Sequence, residues 1–228
     1  MTDPIQRFEK NIAEVKRLLD IHAQLAGSSP GRKHNVEVLN KSSIVLLVAC
    51  WEAFIEDLCT TAFDFMLTNA PDHKVFSDDV LALASKKLKS ASDNREVWQL
   101  AGDGWRAVLQ KHKTEMLKEY VGKLNTPKPK QVDNLFEAML GISALSQKWS
   151  WHNVSHQKTT TKLSSLVELR GEIAHQVAAG KSVTKAIVLD HMEFVYRLAT
   201  VSSNRVRAFV YARTKKRPWV SYKFRNTR

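Results

Sequence analysis

Residues 35–69 and 183–213 contain no glycine and no proline, and both repeat apolar side chains at helical spacing. In the first, Ile44, Leu47, Val48, Trp51, Ile55, Leu58 and Ala62 form one stripe, and the middle of the segment is apolar nearly all round. The second carries Ile187, His191, Phe194, Val195, Leu198, Val206 and Phe209 on its stripe. Such uninterrupted periods commit a chain to long helices. With only 8 Gly and 6 Pro in 228 residues, breakers are scarce elsewhere too, and an all-α fold is expected with 35–69 as its central core helix.

The remaining elements follow from caps and breakers. Asp3-Pro4, a capping residue followed by proline at the first helical position, starts a helix that runs to about Ala26. Residues 27–31 form a turn. Between 70 and 130 lysine is frequent and the period weak, so shorter helices are expected near 77–89, 94–101 and 104–120, then a loop over 125–130. A short helix near 132–140 and a polar stretch over 146–158 precede a helix from about Thr159 to Val177, a break at 178–180 and the final helix. The expected organisation is a single helical domain over 1–213, with 70–158 as an inserted, variable segment and 214–228 as a basic, aromatic tail.

The 35 Lys and Arg against 23 Asp and Glu give a net charge of +12, which favours a polyanion such as nucleic acid or an anionic surface. No targeting segment is evident, and the apolar run Ile44–Trp51 stops at Glu52, far short of the ~20 residues a membrane helix needs. No membrane association is therefore expected. Cys50 and Cys59 lie on one predicted helix, about 13 Å apart and too far for a disulfide, which points to a reduced, cytoplasmic setting.

Leu163, Leu166, Val167, Ile173, Ala174 and Val177 mark one face of the penultimate helix, and Arg170 falls in the middle of it. An unpaired buried guanidinium would cost several kcal/mol, roughly. It therefore needs an acidic partner, a polar cleft or a chemical task. His175 follows where the helix is expected to end. Together these groups can cleave RNA without a metal or other cofactor. The ribose 2′-OH attacks its own phosphate, an imidazole moves the protons, and a guanidinium holds the phosphate and stabilises the added charge. Arg17–His22 and Arg106–His112 share the spacing but read as solvated charges on helix flanks. For Arg170 and His175 the structural alternative is a set of ion pairs, with Glu52 neutralising the arginine and Glu172 meeting the histidine across one turn. Glu52 can also fix the arginine's rotamer.

Residues Leu163 to His175, reading Leu-Ser-Ser-Leu-Val-Glu-Leu-Arg-Gly-Glu-Ile-Ala-His, resemble the signature helix of HEPN domains, in which an arginine precedes a histidine by four to six intervening residues. Leu39 to Leu58, with Trp51, Glu52 and Phe54 in its apolar run, resembles the second helix of the RiboL-PSP-HEPN branch, and the loop Pro127-Lys128-Pro129-Lys130 with the following Asn134-Leu135-Phe136 also resembles that branch. The resemblance implies a HEPN-type helical bundle with added short helices in its middle, and a metal-independent endoribonuclease with Arg170 and His175 as catalytic residues. It also implies a homodimer in which two such helices meet, and a place in toxin–antitoxin or anti-phage defence, with an antitoxin or defence partner. The residue after the arginine is often asparagine in the family and is Gly171 here, which removes a side chain that could position substrate. The rival reading is a non-catalytic HEPN module that binds RNA or a partner protein.

The tail offers a second candidate surface. Lys215, Lys216, Arg217, Lys223 and Arg225 are interleaved with Trp219 and Tyr222 and with no acid, a combination that suits single-stranded RNA. The alternative is a segment packed on the body with a solvated basic edge. Trp98 and Trp105 read as core residues, and lysines 86, 87, 89, 111, 113, 118 and 123 as mostly solvated helix faces. His152 and His156 have helical spacing but no third ligand, so no metal site is expected.

Overall fold

The computed structural model describes residues 3–26, 36–121, 127–175 and 182–224. The turns expected at 27–31 and 178–180 lie outside these residues. Seven α-helices follow in chain order: α1 (Pro4–Ala26), α2 (Glu37–Asn69), α3 (Asp78–Lys89), α4 (Gly104–Val121), α5 (Pro129–Leu140), α6 (His156–His175) and α7 (Lys185–Thr214), with short 3-10 segments at His73–Val75, Asn94–Leu100 and Leu145–Lys148. Among the described residues there is no strand, only an isolated antiparallel bridge between Trp151 and Val154.

Helix α2 is the centre, as its all-round apolarity predicts. It packs against α1, α7, α6 and α5 and buries fifteen side chains from Asn40 to Met66. Its length and composition alone would let it cross a membrane, and half of its most apolar window is covered within the protein. Trp51 and Trp149 are both fully buried and meet edge to face at 5.9 Å, and the Trp51 indole donates to the Pro127 carbonyl at 3.2 Å. The polar stretch over 146–158 thus supplies a core tryptophan. The middle of the chain is equally well tied in, since α5 contributes Val132, Leu135, Phe136, Met139 and Leu140 to the same core.

Local chemistry sets the helix ends. Ser77 caps α3 by accepting from the Val80 amide, with Asp78 and Asp79 in the first turn and Lys86, Lys87 and Lys89 in the last. Helix α5 starts three residues earlier than expected because Pro129 fits the first helical position. Helix α6 starts early as well, where the Ser155 hydroxyl accepts from the Lys158 amide. Thr184 caps α7 in the same way.

Two sequence expectations need correction. Trp105 is buried but Trp98 is 74% exposed, because its 3-10 segment buries no residue at all. The Arg106–His112 pair is not a solvated flank. His112 is buried with its Nε2 3.1 Å from the Ala138 carbonyl, and Arg106 donates to the Leu67 and Ala70 carbonyls at the end of α2.

Candidate functional site

Helix α6 drives Leu163, Leu166, Val167 and Ile173 into the core, which leaves Arg170 at the margin, half-buried. Glu52 of α2 feels its charge. Burial pushes the Glu52 carboxyl above its ordinary range, and Arg170 pulls it part of the way back. One turn along α2, Glu56 is raised by burial and then by its neighbours Glu52 and Asp57. Asp57 is also raised by burial, against the opposing pull of Arg7, whose Nε lies 2.9 Å from the carboxylate and whose Nη2 donates to Thr61. A half-buried seam of three acids thus runs along α2, with a guanidinium from α1 on one side and one from α6 on the other. The expected partnership of Glu52 with Arg170 is electrostatic and forms no hydrogen bond among the described residues. Glu56, Asp57 and Arg7 were not anticipated, although acids four and five residues beyond Glu52 on a core helix were the available signal.

His175 is the last residue of α6 and is exposed. Five residues of α-helix separate it from Arg170, which is a rise of about 7.5 Å and a rotation of about 140°. The two side chains therefore leave the helix on different faces. Between them, a Cβ placed on Gly171 would meet nothing within 4 Å, so open space adjoins the arginine. Glu172 is exposed.

The same end of α6 borders an apolar hollow of about 720 Å³ between α1, α2 and α6. Leu18, Val45, Leu46, Ala49, Ile173 and Ala174 line it. Val38 at its edge is 58% exposed, and Ile21 and Leu25 of α1 are exposed beyond it. This apolar surface begins at the two residues preceding His175.

The tail does not lie near the motif and does not hang free. Trp219 is buried with its indole donating to Ser203 at 2.9 Å, and its carbonyl accepts from Arg207. Tyr222 is half-buried. Its amide donates to Asn204 and its hydroxyl donates to Asp3, and burial, together with that bond, pushes its pKa up to about 12. Phe224 lies under the Arg197 guanidinium at 3.9 Å. The rings proposed from sequence as base platforms are thus anchors that hold the segment along α7. Lys215, Lys216, Arg217 and Lys223 remain exposed, and Arg225 lies outside the described residues. The charge is concentrated here. Residues 185–228 hold eleven Lys and Arg against Asp190 and Glu193, nine of the net twelve.

No group of three metal-binding side chains occurs among the described residues, and His152 and His156 are both exposed. Cys50 and Cys59 are buried free thiols whose pKa values are raised by that burial, Cys50 to about 11, so neither is a ready nucleophile.

A helical bundle around one apolar central helix, with an arginine and a histidine closing the adjacent helix, defines a HEPN-type domain. The model of the RiboL-PSP-HEPN family matches residues 7–206, and the chain belongs to that family. No curated protein and no solved structure matches it.

Proposed function

We propose that this protein is a metal-independent endoribonuclease that works as a homodimer, with Arg170 and His175 as catalytic residues. The observation that carries the reading is Arg170 itself. It is held half-buried beside Glu52, opens onto empty space at Gly171, and sits five residues from an exposed imidazole that leaves the helix on another face. One copy of the motif does not aim both groups at a single phosphate, whereas two copies related by a two-fold axis can. The apolar hollow that ends at Ile173 and Ala174 supplies the surface for that pairing.

In such a cleft a neutral imidazole takes the proton of the ribose 2′-OH as its oxygen attacks the adjacent phosphorus. The charged imidazole then protonates the departing 5′-oxygen. The guanidinium binds the non-bridging oxygens and stabilises the extra charge of the pentacoordinate transition state. The products are a 2′,3′-cyclic phosphate and a 5′-hydroxyl, and DNA is not cut. In a cell this chemistry suits a toxin or anti-phage effector restrained by a partner protein, acting in the cytoplasm where RNA is abundant.

Incubation with RNA in EDTA, followed by chemical identification of the new 3′ end, tests the reading. His175→Ala is expected to abolish cleavage while helical content and the dimer persist. Cleavage by that variant at the parent's rate would remove the assignment. Gly171 favours a second reading, a module that holds RNA without cutting it, because no side chain follows the arginine to orient substrate. RNA bound and left intact by the wild-type dimer would decide for that alternative.

A further inference from the structure

We infer that the C-terminal end of α2 carries a second RNA-holding surface, about 25 Å along the helix from the Glu52–Arg170 site, which grips a single strand outside the cleavage cleft. This rests on the RNA reading above and adds to it where the strand runs.

Three elements meet there. Lys216 reaches Asn69, the last residue of α2, at 3.2 Å. Arg213 donates to the Val75 carbonyl at 3.3 Å, which brings it beside Lys74. Arg217 lies over the Tyr211 ring, and Lys215 donates to the Ala212 carbonyl. None of these five cations has a carboxylate partner among the described residues. Residues 212–224 contain no acid, and residues 69–77 contain only Asp72. Helix C-termini attract cations, but Arg106 already serves the last carbonyls of α2 and Lys215 those of α7. Lys74, Lys216 and Arg217 are left as surplus charge. The buried Trp219 fixes the segment that carries them, so the cations are presented on a rigid scaffold.

The second element of recognition adjoins the first. Pro71, Asp72 and His73, next to Lys74, line a hollow of about 610 Å³ together with Leu100, Asp103 and Trp105. The His73 and Trp105 rings meet edge to face at 6.4 Å. Trp98, two residues before Leu100, is 74% exposed. Cations answer the phosphates of any polyanion, but the exposed rings of His73 and Trp98 answer an unstacked base, which a duplex and an acidic polypeptide both lack.

The test uses the cleavage-dead His175→Ala protein and an unstructured RNA oligonucleotide, with binding measured across salt concentrations. Replacing the surplus cations Lys74, Lys216 and Arg217 together by alanine is expected to lower the slope of log affinity against log salt by about 2, near 0.7 per lost phosphate contact. Trp98→Ala, at a side chain with no core role, is expected to weaken binding about tenfold. In the enzyme that retains His175, the triple substitution should slow cleavage of long RNA and leave cleavage of a dinucleotide unchanged. An unaltered salt slope overturns the surface while leaving the RNA reading intact. Displacement of acidic polypeptide alone, with RNA affinity unmoved, overturns it in favour of a protein partner. Failure of the parent to bind any RNA overturns both.

Discussion

Ionisation of Glu56 is opposed by its surroundings in the folded protein. Burial disfavours its charge, and Glu52 and Asp57 add repulsion from either side. Its folded pKa is raised, as are those of Glu52 and Asp57, so just above the ordinary carboxylate range the native state holds more protons than the unfolded chain. Stability from these groups is therefore lost as pH rises through their folded values. Glu56→Gln removes one such charge without removing the partner of either guanidinium. Thermal unfolding at pH 7 is expected to show a higher Tm for this variant, with the gain fading as pH falls below the carboxylate range. An equal gain at all pH values would show that repulsion along the seam is not its source. The seam contributes to the potential around Arg170 through Glu52. The half-buried guanidinium is met by negative charge at Glu52 without being locked in a hydrogen bond, which leaves its donors available to a phosphate.

At the scale of the element, two glycines in helical surroundings carry opposite constraints. Gly141 ends α5 with φ +73°, and an added Cβ would collide with Ser77, whose hydroxyl caps α3. Gly171 sits inside α6 with open space beside it. Gly171→Ala should therefore stabilise by roughly 0.5–1 kcal/mol through helix propensity. Gly141→Ala should destabilise by about 1 kcal/mol or more, because it strains the left-handed turn and disturbs the cap together. Denaturant melts of the two variants give the signs directly. The same contrast marks how far the sequence could be read. Helices α2 and α7 were legible because nothing interrupts their apolar period, and Arg170 was legible as the charge that breaks one. The early starts of α5 and α6 depended on Pro129 and on the Ser155 hydroxyl, single residues that outweigh the period. Trp98 and Trp219 exchanged roles for a reason no periodicity encodes. Whether a ring outside a helical stripe is covered depends on what the rest of the chain lays over it, and α7 offers Trp219 a hydroxyl at Ser203 while none of the described residues closes over the 3-10 segment at Trp98.

For the whole molecule, the proposed two-fold cleft raises the question of which arginine would work with which histidine. Along one α6 the two groups diverge by about 140°, so the pairing that best fits a two-fold cleft takes Arg170 from one subunit and His175 from the other. Complementation measures this. Arg170→Ala and His175→Ala homodimers are each expected to be inactive. When the two are mixed and allowed to exchange subunits, about half of the dimers become mixed, and each mixed dimer holds one intact arginine–histidine pair across the interface, so activity should return to about a quarter of the wild-type level. If the working pair belonged to a single chain, no dimer in the mixture would contain one and activity would stay at the level of the parents. Val38→Asp supplies the control. Val38 is 58% exposed in the monomer and borders the hollow beside Ile173 and Ala174, so a charge there leaves the core untouched but opposes burial between subunits. With this substitution in both partners, light scattering should report monomers, and mixing should restore nothing.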